Sequence, residues 1–134
     1  MDKPWLNEPD KHAWTDEATG LGCCARRGFG GNWCGYVRVP PSHPWFGVGY
    51  DDLEHVQVHG GLTFSGPLSE DEEKTGVHHW VGFDCGHGGD LRPDYFELFG
   101  DGEYRTLDYV MENCAELAAQ VEAREKLGPA PKQN

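Results

Sequence analysis

The sequence predicts an α+β fold, a small antiparallel sheet of about four strands with a C-terminal amphipathic helix packed on one face. Three observations predict it. From Leu107 the apolar residues Leu107, Val110, Met111, Cys114, Leu117, Ala118 and Val121 recur at helical spacing. Residues 33–39 alternate instead, with Trp33, Val37 and Val39 on one side and Cys34, Tyr36 and Arg38 on the other. The 19 Gly and 9 Pro divide the remainder into short elements joined by turns.

Taken in order, residues 1–20 are polar, carry Trp5 and Trp14, and read as an N-terminal arm. Residues 21–127 then form a single α+β domain, and residues 128–134 (GPAPKQN) a disordered tail. A hairpin opens the domain: LGCCARR, the turn GFGGN, then WCGYVRV. Gly28, Gly30, Gly31 and Asn32 are the residue types that tolerate positive φ in such a turn. Pro40, Pro41 and Pro44 end its second strand and begin a long loop over residues 40–54. Trp45, Phe46 and Tyr50 in that loop are expected to cover one end of the core, the alternative being a cap over a ligand.

A third strand is predicted over residues 55–65 (HVQVHGGLTFS), with a bulge at Gly60-Gly61. The acidic stretch 66–76 reads as a solvated connection. A fourth strand, VHHWVGFDC, runs into the loop GHGGD. Thr106 is a suitable cap for the final helix, and Gly128 and Pro129 a suitable stop. The helix should cover the aliphatic face of the sheet and leave His59 on the other face or at its rim. Cys114 falls on the buried stripe and reads as a core thiol.

Charge narrows the range of partners. With 11 basic and 23 acidic residues the net charge is -12, which repels nucleic acid and anionic lipid. A small anionic ligand remains compatible, because Arg26, Arg27, Arg38 and Arg92 all fall in the turn-rich part of the chain. No stretch approaches the roughly 20 apolar residues of a membrane span. Five cysteines and a polar start predict free thiols in a reducing, cytoplasmic setting. An open sheet face makes a homodimer an expected assembly.

Two segments carry the residues that chemistry needs: VHGGLTF (58–64) and GFDCGHGGD (82–90). Both place His, Asp or Cys at a strand end beside glycines that let a ligand approach the backbone. The predicted catalytic residues are His59, Asp84 and His87. The predicted ligand-binding residues are Arg38, Gly60, Gly61, Thr63, Cys85, Gly88, Gly89 and Asp90. Three readings follow. In the first, His59, His87 and Asp84 or Asp90 hold a divalent metal that activates water, although no CxxC or HExxH spacing occurs. In the second, His59 or His87 is a metal-free general base oriented by Asp84 or Asp90, with Cys34 or Cys85 as a nucleophile. In the third, the glycine-rich turn offers backbone donors to an anion and the protein binds without turnover. No particular cofactor is specified. His12, His43, His55 and His78 read as residues without chemistry.

The blocks CGYVRVPPSHP (34–44), VHGGLTF (58–64), GFDCGHGGD (82–90) and EYRTLDYV (103–110) resemble a family of small, uncharacterised proteins encoded by bacteriophages and bacterial genomes. The resemblance covers most of residues 20–121. Gly86 stands where the family often has Ala, and His79 where a second Trp is common. The resemblance implies a phage or prophage context, and with it an accessory, anti-defence role exerted on a small nucleotide-derived ligand. Alternatives are a small hydrolase using the same residues and an acidic inhibitor that docks on a host protein.

Overall fold

The computed structural model describes residues 3–96 and 102–127. The predicted tail at 128–134 and the helix stop at Gly128 and Pro129 lie outside the described residues. The fold is α+β. Its sheet is antiparallel and has five strands in the order β1-β2-β3-β5-β4. They are β1 (Lys11–Thr15), β2 (Gly22–Arg27), β3 (Trp33–Arg38), β4 (Phe64–Gly66) and β5 (Trp80–Asp84). A short helix α1 (Glu70–Thr75) precedes β5, and the long helix α2 (Leu107–Lys126) closes the structure.

Alternation in β2, β3 and β5 produces the core. Cys23, Ala25, Trp33, Val37, Val81 and Phe83 point to one face and are at most 2% exposed. The helix α2 lies on that face and adds Val110, Cys114, Leu117, Ala118 and Val121. Thr106 caps its first turn by accepting a hydrogen bond from the Tyr109 N–H at 3.2 Å. Gly35 lets the helix approach closely: a methyl group there would lie 2.6 Å from the Phe83 ring and 2.9 Å from Cys114 Sγ. Trp45, Leu53 and Val56 of the 39–63 loop close one end of the core, as its aromatic residues suggested. His43 is buried there with both ring nitrogens engaged: Nε2 lies 2.7 Å from the Val121 carbonyl and Nδ1 accepts the Trp45 N–H. Among the described residues no helix is long and apolar enough to cross a membrane.

The structure departs from the expected elements in three places. Within the N-terminal arm, Lys11–Thr15 is an edge strand paired with β2 from Lys11–Arg26 to Thr15–Gly22. Its side chains are alternately exposed and half-buried, so little hydrophobic periodicity marks it. The predicted strand 55–65 contracts to Phe64–Gly66. Gly60 and Gly61 both have positive φ (68° and 81°), which breaks extended pairing. The Gln57 and His59 N–H groups are held instead by the side chains of Gln120 and Asn113 on α2. The acidic connection folds into α1, with Ser69 as its N-cap and Gly76 as its left-handed C-cap. Within it Glu72 accepts hydrogen bonds from the Leu68 N–H and from Trp80 Nε1, both at 2.9 Å.

A second polar network ties the N-terminal segment to the helix. Glu8 accepts hydrogen bonds from Trp33 Nε1 at 3.1 Å, from the Tyr104 hydroxyl, and from the Leu107 N–H at 2.8 Å. Arg27 stacks 3.9 Å over the Trp33 ring and donates to the Tyr104 oxygen at 2.7 Å. Burial and the hydrogen bond to Glu8 push the Tyr104 hydroxyl up to about 12, against the pull of Arg27. Replacing Glu8 by alanine strands three donors, one of them at the start of α2. Urea denaturation is expected to show a loss of about 2–4 kcal/mol, with Glu8→Gln costing less. A change below about 0.5 kcal/mol would mean that solvent replaces the carboxylate.

Candidate functional site

The two glycine-flanked segments meet where the end of β5 faces the first turns of α2. β5 delivers Asp84, and the loop after it turns back on itself. The Gly86 N–H donates to Asp84 Oδ1 at 2.9 Å, and the His87 N–H to Asp90 Oδ2 at 3.1 Å. These side-chain turns fix the loop and aim Asp90 inward. His59 arrives from the irregular segment before β4, positioned by the bond from its own N–H to Asn113 Oδ1 at 3.1 Å. It therefore lies on the helix side, at the rim of the sheet.

Both ring nitrogens of His59 are engaged. Nε2 lies 2.8 Å from Asp90 Oδ2, and Nδ1 lies 2.6 Å from the Tyr109 hydroxyl. Asp90 Oδ1 also accepts from Arg105 Nε at 2.8 Å. Burial favours the neutral form of Asp90, whose side chain is 1% exposed, but the hydrogen bonds from His59 and Arg105 win and lower its pKa. The ionised Asp90 accepts a hydrogen bond from His59 Nε2–H, and in that tautomer Nδ1 accepts the Tyr109 O–H. The result is a partly buried chain Tyr109–His59–Asp90–Arg105, with Asp90 its buried member.

His87 is the more open member of the site. Its ring centre is 6.0 Å from that of His59, and its side chain is 34% exposed. Nε2 itself is shielded from solvent and has no hydrogen-bond partner. It lies 3.4 Å from Asp84 Oδ1, within ion-pair range but outside hydrogen-bond geometry. Gly60 covers that edge of the ring: a Cβ at Gly60 would stand 2.3 Å from His87 Cδ2 and Nε2. Solvent therefore reaches the ring from the Nδ1 side. Buried polar atoms are nearly always paired, so an orphan imidazole nitrogen beside a carboxylate marks a site to be explained.

Of the predicted residues, the fold gathers His59, Asp84, His87 and Asp90, with Gly60 packed on His87 and exposed Gly88 and Gly89 at the tip of the loop. Gly61 and Thr63 serve backbone roles, Gly61 N–H to the Val58 carbonyl and Thr63 N–H to the Gly82 carbonyl. Two predicted residues fall away from the cluster. Cys85 points into the core at 1% exposure, and burial pushes its thiol up to about 12, so it neither meets a ligand nor acts as a thiolate. Arg38 pairs with Trp80 at the far end of β3, four residues from the Cys34–Asp84 pair. Cys34 is a weak nucleophile for the same reason as Cys85, with burial raising it to about 11.

The sequence reading missed Arg105, Tyr109 and Asn113. Their four-residue spacing, running from just before α2 onto one face of it, was the available signal. Among the described residues no group of three or more His, Cys, Asp or Glu is arranged to hold a metal ion. His59 could serve as a ligand only by giving up Tyr109 or Asp90. A separate groove of about 730 Å³ lies around the β2–β3 turn, lined in part by Lys11, Arg26, Arg27 and Gly31. Comparison with protein-family models, curated proteins and solved structures gave no match.

Proposed function

We propose that this protein is a small hydrolase whose acid–base group is His87. The observation that carries the reading is the orphan Nε2 of His87 beside Asp84, with the opposite edge of the ring open to solvent. With its proton on Nε2, facing the carboxylate, the neutral ring presents a free lone pair at Nδ1. A water held at that edge gives its proton to Nδ1 as its oxygen attacks an electrophilic carbon or phosphorus centre. Asp84 then faces the imidazolium, and the same proton returns to the leaving group. His59 and Asp90 act as positioning residues: they hold the loop that carries His87, and Asp90 does so through the His87 N–H.

The carboxylates Asp84, Asp90 and Glu103 outnumber Arg105 at this cluster, and Arg105 is already paired with Asp90 and Glu103. This balance favours acid–base work there over simple capture of an anion. The test is turnover of a panel of carboxylic and phosphoric esters. His87→Ala is expected to lower kcat by about 10²–10⁴-fold while leaving the fold intact. Gly60→Ala, which must displace the His87 ring, is expected to reproduce most of that loss. Equal rates in the wild type and His87→Ala, or no turnover anywhere on the panel, would remove this reading.

A further inference from the structure

The register of the sheet sets four chemically distinct residues in one row. Lys11 pairs with Arg26, Arg26 with Cys34, and Cys34 with Asp84. Directly opposed residues of antiparallel strands point to the same face, so these side chains stand side by side on the face away from α2. The row crosses three inter-strand spacings, about 14 Å in all. One end is Asp84, whose Oδ1 lies 3.4 Å from His87 Nε2. The other end is a pair of exposed cations.

That pair is a liability without a ligand. Like charges directly opposite each other in a sheet repel. In a chain of net charge -12 a carboxylate opposite either residue would have been easy to supply. Among the described residues neither Lys11 nor Arg26 forms an ion pair; Arg26 reaches only the Leu68 carbonyl, at 3.3 Å. Arg27, by contrast, is committed to Tyr104 and Glu8. Lys11 and Arg26 line the 730 Å³ groove together with Asp10, Asp94, Trp5 and Leu6. The cations suit a phosphate, the two carboxylates suit the hydroxyls of a sugar, and the Trp5–Leu6 wall suits an apolar ring.

From this arrangement we infer that the groove binds a nucleoside phosphate, with its phosphates on Lys11 and Arg26 and directed along the row toward Asp84 and His87. The inference rests on the acid–base reading for the identity of the reacting end, but not for binding itself. It specifies the substrate class of that site as a phosphate ester of nucleotide size.

Isothermal titration calorimetry with ADP, pyrophosphate and adenosine tests it on the wild type and on the double variant Lys11→Gln/Arg26→Gln. The wild type is expected to bind ADP and pyrophosphate, and adenosine weakly. The double variant should bind ADP at least about tenfold more weakly, because two charge-assisted contacts are lost. Its melting temperature should match or exceed that of the wild type, since a repulsive pair has been removed. No heat with ADP or pyrophosphate, equal ADP affinity in the double variant, or adenosine binding as tightly as ADP would each overturn the inference. Failures of the two readings separate cleanly. Charge-dependent ADP binding without turnover leaves the groove standing and removes the hydrolase. Turnover abolished by His87→Ala but unchanged by the double variant does the reverse.

Discussion

Asp90→Ala is expected to destabilise the protein by about 2–4 kcal/mol, because it removes a buried carboxylate that accepts hydrogen bonds from two side chains and a backbone N–H. Asp90 has only 1% of its side chain exposed and accepts from His59, Arg105 and the His87 N–H. Alanine leaves the His59 Nε2–H and the His87 N–H facing a cavity, and the Arg105 guanidinium keeps only Glu103. Asp90→Asn keeps the shape but not the charge, and should fall between the wild type and the alanine variant. Urea denaturation of the three proteins measures this. A loss under about 1 kcal/mol for alanine would mean that packing, rather than the carboxylate, holds the 87–90 loop.

The same carboxylate predicts a pH dependence. The folded pKa of Asp90 is lowered, so the unfolded chain binds its proton more readily than the folded one. Its contribution is therefore complete above the ordinary carboxylate range and is lost as the pH falls through its lowered folded value. The stability gap between the wild type and Asp90→Asn should be full at neutral pH and narrow progressively in acid. A gap that stays constant through that window would assign the stabilisation to shape alone.

The second large effect is expected in the core. Gly35→Ala places a methyl group 2.6 Å from the Phe83 ring and 2.9 Å from Cys114 Sγ, between the central strand and α2. Neither neighbour can simply swing away, since Phe83 is 1% and Cys114 0% exposed. Overpacking of this kind costs about 1–3 kcal/mol and sometimes more. This position belongs at the upper end of that range, because the backbones of strand and helix must separate. Phe83→Leu in the same background should recover part of the loss, although alone it destabilises. That non-additivity, measured in a double-mutant cycle, identifies the contact as the cause. Simple additivity would show that the strain is relieved elsewhere.

The helix was legible because its apolar stripe is long, and the β2–β3 hairpin because GFGGN separates two runs with strand periodicity. β1 was not, because an edge strand with one face in solvent has too few apolar positions to stand out. Residues 55–63 misled for the opposite reason. Val56 and Val58 alternate like a strand, yet two positive-φ glycines and the side chains of Asn113 and Gln120 settle the backbone otherwise. At the site, His59, Asp84, His87 and Asp90 were readable from glycine-flanked strand ends. Arg105, Tyr109 and Asn113 were not, because their roles arise from the docking of the helix. Cys85 shows the limit of motif reading: between Asp84 and His87 in sequence, it faces the opposite way because side chains alternate along a strand.

The bond from the Leu107 N–H to Glu8 joins residues 99 positions apart in the chain. The segment that covers the core face of the sheet is synthesised only after all five of its strands. Until α2 emerges from the ribosome, Trp33, Val37 and Phe83 have no cover, and Glu8 lacks both Tyr104 and the Leu107 N–H. Contacts of such long range delay folding, because the intervening loop must close before they form. The nascent sheet therefore waits, exposed and able to aggregate, for a helix that completes it in one late step.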